Sequence, residues 1–483
     1  MDDAGERASQ SRRISDTRVN VNLQSIQQRR AFLRSLSGSL GAVALGNLLS
    51  AATPESKGPH FAARAKNVIF LFQEGGPSHI DLYDPKPALR KWHGQPLPAS
   101  MTKDLNLVFV KPDAKVLGSE RVFRASGKCG TEFSDFVPHI ASNADDICLI
   151  RSMHTDAFNH HPGQALLFTG STQFGRPTAG SWISYGLGSE SKDMPAFVVL
   201  SSGKGTSGGS MNWSSGFLPA VHAGTVFRSS GEPILYLPNP PGISDQTQRA
   251  RLDLIHNLNQ VHLEDSGDSS IASRIHSYEL AFRMQTAAPK FLDFSQESAK
   301  TLEEYGVNKE PTHPYAVNCL LARRMVERGV RFVMLAHASW DDHQELNRKL
   351  KKNCDITDRP IGALLRDLKQ RGLLDSTLVI WAGEFGRTPM GQLERVDEDP
   401  GRDHHPNCFS IWAAGGGIKG GQVIGRTDEL GLQIADTPVH IHDLQATILH
   451  CLGMDHTRLT YRHMGRDFRL TDVDGKLVRQ MLI

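Results

Sequence analysis

The sequence predicts an α/β protein built on a doubly wound, mostly parallel sheet with helices on both faces. Short continuous apolar runs are typical of strands that are buried on both faces of such a sheet. They occupy residues 67–72, 147–150, 197–200, 330–335, 377–382 and 408–413. Amphipathic helical patterns alternate with these runs, as at residues 315–328, where Gly329 ends the pattern. Charged residues follow directly after the strands, at the edge where open α/β sheets bind ligands.

Two of these strands end in the same way. Residues 67–76 read NVIFLFQEGG and residues 377–386 read TLVIWAGEFG, so Glu74 and Glu384 occupy equivalent positions after distant strands. The carboxyl ends of parallel strands lie at one edge of the sheet, and we therefore expect the two carboxylates to lie close together there.

The first 52 residues are predicted to lie outside the fold. Arg29 and Arg30 precede a mildly apolar segment rich in leucine, alanine and glycine that ends in small residues near Ala52. This pattern resembles a twin-arginine export signal after a disordered lead, and an amphipathic lead helix is the alternative. We expect an exported protein, in the periplasm or outside the cell. Residues 53–483 are predicted to form one domain with a helical insertion at about 245–305.

Composition excludes several classes of protein. The 483 residues carry a formal net charge of +2, which argues against a nucleic-acid partner, and no apolar run favours a stable membrane span after signal cleavage. The six cysteines include no CxxC pair, so the sequence indicates neither a cysteine-based zinc site nor a disulfide scaffold, although one or two disulfides stay open. Oligomeric state is left undetermined.

Potential metal ligands cluster after almost every predicted strand. They are Glu74, His79, Asp81, His160, His161, Asp341, His343, Glu384, His404 and His405. Mixed carboxylate and imidazole sets suit zinc, manganese or iron. Pro162 would open a helix and so place His160 and His161 at an anion-attracting N-terminus. Arg151 and Arg387 are candidate anion clamps, with ordinary surface ion pairs as the alternative.

Four motifs carry a resemblance to a known family. GGPSHIDLYDPKP, HHPGQALLFTG, SWDDH and EFGRTP resemble the exported bacterial family of unknown function numbered 1501, and the order of segments over residues 67–470 is similar to the alkaline phosphatase and sulfatase superfamily. The resemblance implies an alkaline-phosphatase-like fold. It also implies a metal-dependent hydrolase of sulfate or phosphate esters, with a small-molecule or glycan ester as substrate. The implied cofactor is a divalent metal, zinc first, with manganese, calcium and iron open.

The chain also departs from this resemblance. The register of HHPGQALLFTG puts His160 where sulfatases carry their modified cysteine, and no serine or threonine replaces it. Two mechanisms stay open. In one, His160 is a metal ligand or the nucleophile. In the other, which we favour, a metal-bound hydroxide attacks the ester. The alternative to both is a non-catalytic, sulfatase-like protein that binds a ligand or glycan.

The resemblance also suggests a role for each candidate residue. Asp341, His343 and His404 or His405 would hold one ion, while Glu74, Glu384 and His160 would hold a second or face the substrate. Arg387 would stabilise the transition state. The expected substrate-binding residues are His79, Asp81, Arg151 and His161.

Two further helices are predicted from the sequence alone. They span residues 133–143 and 360–370.

Overall fold

The computed structural model describes residues 57–102, 113–202, 205–228, 234, 237–391 and 400–483. The predicted export signal lies outside these residues. The described residues belong to one compact unit. No helix among them is long and apolar enough to cross a membrane. All six cysteines are free thiols, and only Cys129 is exposed.

A central sheet of nine strands organises the fold. The strands of the described chain are β1 Asn67–Gln73, β2 Phe123–Ser126, β3 Thr131–Ser134, β4 Ile147–His154, β5 Phe197–Ser202, β6 Thr225–Arg228, β7 Phe332–His337, β8 Thr377–Ala382, β9 Gly386–Gly391, β10 Arg402–His405, β11 Phe409–Ala414, β12 Gln422–Ile424, β13 Arg426–Thr427, β14 Ile434–Asp436, β15 Val439–His440, β16 Tyr461–His463 and β17 Arg466–Phe468.

The sheet is mostly parallel, as predicted. Its order is β12-β4-β11-β8-β1-β7-β5-β6, with β15 beside β4, and β11 is the strand that runs antiparallel to its neighbours. β1 lies between β7 and β8, with Gln73 opposite His337 and Phe72 opposite Ala382. Three neighbouring parallel strands therefore end together, and the chain leaves each of them at the same edge of the sheet.

Helices cover both faces of this sheet. The α-helices of the described chain are α1 His79–Leu82, α2 Leu89–Trp92, α3 Ala99–Thr102, α4 Pro138–Ala141, α5 His160–Thr169, α6 Ala179–Leu187, α7 Asp245–Ser266, α8 Ser269–Leu292, α9 Ala299–Tyr305, α10 His313–Glu327, α11 Leu346–Gln370 and α12 Ile441–Cys451. Ile69 and Leu71 of β1 pack in a core with α10 and α11, whereas Val68 and Phe70 pack in a second core with α5, α6 and α12. Alternate residues of one strand thus supply two cores, as a doubly wound sheet requires.

Two predicted helices differ from the structure. The helix expected at 133–143 is wrong: Phe133 belongs to β3, which pairs with β2, and only the four residues of α4 are helical. Pro138 begins α4, because proline is tolerated in the first turn but not further into a helix. The helix expected at 360–370 begins fourteen residues earlier, at Leu346, and Pro360 lies inside it. The predicted insertion at 245–305 carries α7, α8 and α9.

Candidate metal centre

Four side chains from three separate segments converge at the carboxyl edge of the sheet. They are His160 at the start of α5, Asp341 and His343 after β7, and His404 on β10. The Oδ1 atom of Asp341 lies 2.8 Å from Nε2 of His343 and 3.2 Å from Nε2 of His404. The two Nε2 atoms of His343 and His404 are 3.1 Å apart. On the other side, Nε2 of His160 lies 3.2 Å from Oδ2 of Asp341.

These separations suit one small cation. Nitrogen and oxygen ligands about 2.0–2.1 Å from a tetrahedral zinc ion lie roughly 3.3 Å from one another. The separations of Asp341 from the three histidines, and of His343 from His404, are 2.8–3.2 Å between ligand atoms. Three imidazoles and one carboxylate also match the ligand preference of zinc. The residues therefore fit a divalent metal ion.

Two of the histidines are held so that their Nε2 atoms face this position. Nδ1 of His160 lies 2.7 Å from the carboxylate of Glu384, and Nδ1 of His404 lies 2.8 Å from the carbonyl oxygen of Phe158. Both partners are acceptors, so each Nδ1 carries the proton, and the neutral ring then has its lone pair on Nε2. Such partners are the usual means of orienting a metal-binding histidine. His160 Nε2 is also buried and lies 3.2 Å from Oδ2 of Asp341.

The protonation states of the cluster residues follow from their burial and from the charges close to them. Burial lowers the pKa of His160, but the carboxylates of Asp341 and Glu384 outweigh burial and raise this pKa to about 9. Burial raises the pKa of Asp341, yet hydrogen bonds from three histidines and the charge of Arg387 hold it far below its usual range. Burial keeps the pKa of His404 below its ordinary value. Without a metal, the cluster thus pairs a cationic His160 with an ionised Asp341.

The loop that carries Asp341 is tightly held. Ser339 has a φ of +94°, a conformation that costs energy for a residue with a side chain. The backbone N–H of Trp340 donates to the carbonyl oxygen of Glu74 at 3.1 Å, and Asn353 donates to the carbonyl oxygen of Ser339 at 2.7 Å. A Cβ atom on Gly75 would lie only 2.5 Å from the backbone nitrogen of Asp341, so glycine is needed at that close approach.

Glu384 and Glu74 also lie beside His160, as their equivalent strand-end positions predict. Glu384 is fully buried, and both of its carboxylate oxygens accept from the backbone N–H of Gly75, at 3.1 and 3.2 Å. Glu74 accepts hydrogen bonds from Ser207 Oγ at 2.6 Å and Gln164 Nε2 at 3.1 Å. In these contacts Glu384 orients His160, and Glu74 holds the loop after β5. Their role as metal ligands stays a prediction.

Arg387 contacts the cluster, but most of its hydrogen bonds go to backbone carbonyl oxygens. Its guanidinium is fully buried and lies 2.5 Å from Oδ1 of Asp341. It also donates to the carbonyl oxygens of Gly75, Gly76 and Arg402. These contacts position Asp341 and tie the loop after β1 to β9 and β10. The predicted transition-state role of Arg387 stays a prediction.

His405 does not join the cluster, so His404 is the ligand candidate of the pair. Adjacent residues of a strand point to opposite faces, and the ring of His405 is fully buried, with Nε2–H donating to the carbonyl oxygen of Leu432 at 3.0 Å. Burial lowers the pKa of His405 to about 4. Among the described residues, the groups able to hold a metal include His404 and not His405.

The four predicted substrate-binding residues lie in different surroundings. His161 is exposed in the first turn of α5, next to His160. Asp81 is buried and bonded to Arg402, whose Nε lies 2.8 Å from its carboxylate, so its charge is already matched. His79 is likewise buried, and the backbone N–H of Arg387 points to its Nδ1 at 3.5 Å. Arg151 donates to the carbonyl oxygen of Tyr83. Of the four, His161 is the one placed in the open beside the cluster.

Several residues that complete the site were not predicted. Gln164 and Ser207 bind Glu74, and the backbone of Phe158 orients His404. Phe385 forms an apolar wall: its ring centroid lies 4.4 Å from that of His404 and 5.1 Å from that of His160. The sequence signal for Ser207 is its place in a polar loop directly after a strand end.

The fold and the cluster define an α/β protein with a carboxylate–histidine centre at the carboxyl edge of a mostly parallel sheet. A family model described as protein of unknown function (DUF1501) matches residues 65–482, and the chain belongs to this family. This confirms the family resemblance found in the sequence motifs. No curated protein matches the chain.

Solved structures of sulfatases and alkaline-phosphatase-superfamily enzymes are among those similar to the chain. The PsFucS1 sulfatase from Pseudoalteromonas sp. is 13% identical with a TM-score of 0.36, covering 86% of this chain and 71% of that chain. The phosphonate monoester hydrolase SpPMH from Silicibacter pomeroyi is 11% identical with a TM-score of 0.35, covering 86% and 76%. The lipoteichoic acid synthase LtaP from Listeria monocytogenes is 10% identical with a TM-score of 0.35, covering 85% and 76%. At these scores the similarity carries no functional argument.

Proposed function

We propose that this protein is a metal-dependent hydrolase of sulfate or phosphate esters, with His160, Asp341, His343 and His404 as ligands of a divalent ion, preferably zinc. The observation that carries the proposal is the convergence of the Nε2 atoms of His343 and His404 on Oδ1 of Asp341, with mutual separations of 2.8–3.2 Å. A divalent ion at this point would acidify a water molecule and neutralise charge that develops on an ester.

The chain's own residues would orient the substrate. The N-terminal end of α5 carries a partial positive charge, which favours an anionic ester group near His160 and the exposed His161. The ring of Phe385 keeps water from one side of His160 and His404, which strengthens charge interactions there. Arg387 and Glu384 keep Asp341 and His160 in place, through contacts of 2.5 and 2.7 Å.

A substrate panel tests the proposal. Aryl sulfates, phosphate monoesters and phosphate diesters are offered to the purified protein, to Asp341→Asn and to the matched surface control His262→Ala. His262 is exposed on α7. We expect turnover that is lost in Asp341→Asn, abolished by a chelator and retained in His262→Ala. Equal turnover in all three proteins would refute the site. Stoichiometric metal without turnover of any ester would instead support the non-catalytic ligand- or glycan-binding alternative.

We also propose export by the twin-arginine route to the periplasm or beyond. The support is the Arg29–Arg30 pair before the apolar segment that ends near Ala52. In fractionated cells, the double variant Arg29→Lys with Arg30→Lys should stay in the cytoplasm uncleaved, whereas a control with Arg12→Lys and Arg13→Lys should be exported. Export of both variants would overturn the proposal.

A further inference from the structure

Helix α7 carries an apolar stripe that faces away from the protein. Leu254, Leu258 and Val261 are 61%, 62% and 60% exposed, and Ile255 beside them is 37% exposed. Single exposed aliphatic residues are common on protein surfaces, but a contiguous row of them usually marks an interaction site. The stripe therefore needs an explanation in terms of a partner.

The stripe is not needed to hold α7 against the protein. The opposite face of the helix carries the buried Leu252, and Arg249 of that face binds Glu279 of α8 at 2.7 Å. Leu254, Leu258 and Val261 are spaced by four and three residues, which is the spacing of core positions where two helices pack side by side. Helix α7 thus has one apolar face for its own fold and a second one for another helix.

Charged residues at the two ends of the stripe indicate that the second helix is α7 of another copy of the protein. Arg251 lies seven residues before Leu258 and Asp265 lies seven residues after it, so both continue the line of the stripe. Both are exposed. The ion pairs of α7 that the structure describes are those of Arg249 with Asp253 and Glu279, and neither Arg251 nor Asp265 takes part in them. If two copies of α7 pack antiparallel about Leu258, Arg251 of each copy faces Asp265 of the other. The stripe is therefore complementary to itself in charge.

We propose that the protein forms a homodimer in which the two α7 helices pack antiparallel across a two-fold axis at Leu258. The 22 residues of α7 span about 33 Å, enough for a central apolar seam flanked by the two Arg251–Asp265 pairs. Ile255 of one copy then covers Val261 of the other. This interface goes beyond the proposed function, because α7 contains none of the cluster residues.

Sedimentation velocity and light scattering on the purified protein at micromolar concentration test the interface. We expect twice the mass of the chain for the unchanged protein and the monomer mass for Leu258→Glu, which sets two carboxylates against each other at the axis. Arg251→Asp should raise the dimer dissociation constant by at least about tenfold, and the added change Asp265→Arg should restore it. The matched control Arg274→Asp, on the exposed side of α8, should leave the dimer intact.

Three results would overturn the proposal. The first is a monomer at all concentrations. The second is a dimer that Leu258→Glu and Arg251→Asp leave unchanged. The third is a monomer that sediments with anionic phospholipid vesicles through Leu258, which would make the stripe a membrane-facing surface. Circular dichroism and thermal unfolding show whether each variant is folded. If Leu258→Glu does not fold, the Arg251→Asp variant and its Asp265→Arg rescue test the interface.

Discussion

Replacing Glu384 by glutamine should weaken metal binding without dismantling the fold. The carboxylate is fully buried and lies 2.7 Å from Nδ1 of His160, and both of its oxygens accept from the N–H of Gly75. Glutamine has the same shape and can still accept from Gly75. It removes the negative charge that favours a cation, whether proton or metal, on the His160 ring.

The size of the effect follows from the pKa of His160. Its rise from 6.5 to about 9 occurs although burial acts in the opposite direction, so Asp341 and Glu384 together supply more than the difference. A rise of that size corresponds to roughly 3 kcal/mol. If Glu384 supplies about half, its share is roughly 1–2 kcal/mol, a factor of about ten to thirty. This lies inside the 10- to 100-fold loss of metal affinity that is typical when a partner of a metal-binding histidine is removed.

Competition with a chromophoric zinc chelator measures the affinity of the metal-free protein and its variants. Glu297→Gln is the matched control, because Glu297 is also largely buried and bonded to an arginine, with Arg323 Nη2 at 2.6 Å, but is not part of the cluster. We expect Glu384→Gln to lose about 10- to 100-fold in zinc affinity and Glu297→Gln to lose only stability. Equal zinc affinity in the unchanged protein and Glu384→Gln would refute the orienting role of Glu384.

Three further predictions concern protons and backbone geometry. Since the pKa of metal-free His160 is about 9, zinc binding at pH 7 should release about one proton per ion, measured by calorimetry in buffers of different ionisation enthalpy; no release would contradict it. Burial lowers the pKa values of His337 and His405 from 6.5 to about 4, so the unfolded state binds more protons between these values. Stability in urea should therefore be full above pH 6.5 and fall by up to about 3 kcal/mol per histidine as the pH drops to 4, and a flat profile would exclude this. Gly75→Ala should lose more than about 1 kcal/mol of stability and also zinc affinity. Gly94 also has a positive φ (+76°, against +118° at Gly75), but an added Cβ there would have nothing within 4 Å, so Gly94→Ala should keep its zinc affinity. Equal zinc affinity in both variants would count against the close approach at Gly75.

Much of the fold could be predicted because buried parallel strands have a strong local signal. The apolar runs at 67–72 and 377–382 became β1 and β8, and their shared ends brought Glu74 and Glu384 to one edge. The prediction of a helix at 133–143 was wrong because this segment combines a strand with a short helix. There Phe133 pairs across a hairpin, and the helical stretch is confined to a four-residue turn that starts at Pro138.

The site was predicted as a set of strand-end residues but not as a set of contacts. Which of His404 and His405 faces the cluster depends on the orientation of β10. Among the described strands, β10 pairs with β9 and lies outside the central sheet, so the pattern of the buried sheet does not indicate which histidine it is. The polar loop after β5 gave no sign that Ser207 would bind Glu74, because the two residues are 133 positions apart. Likewise, the partnership of Asp81 with Arg402 depends on tertiary packing across 321 positions.

Metal content is the most direct test of the central claim that the four-residue cluster binds a divalent ion. Inductively coupled plasma mass spectrometry on protein purified without a metal-affinity tag should find at least about one divalent ion per chain. The same measurement on His343→Ala should find this ion lost, and the His262→Ala control should retain it. No stoichiometric divalent ion in the unchanged protein, or the same content in His343→Ala, would contradict the claim.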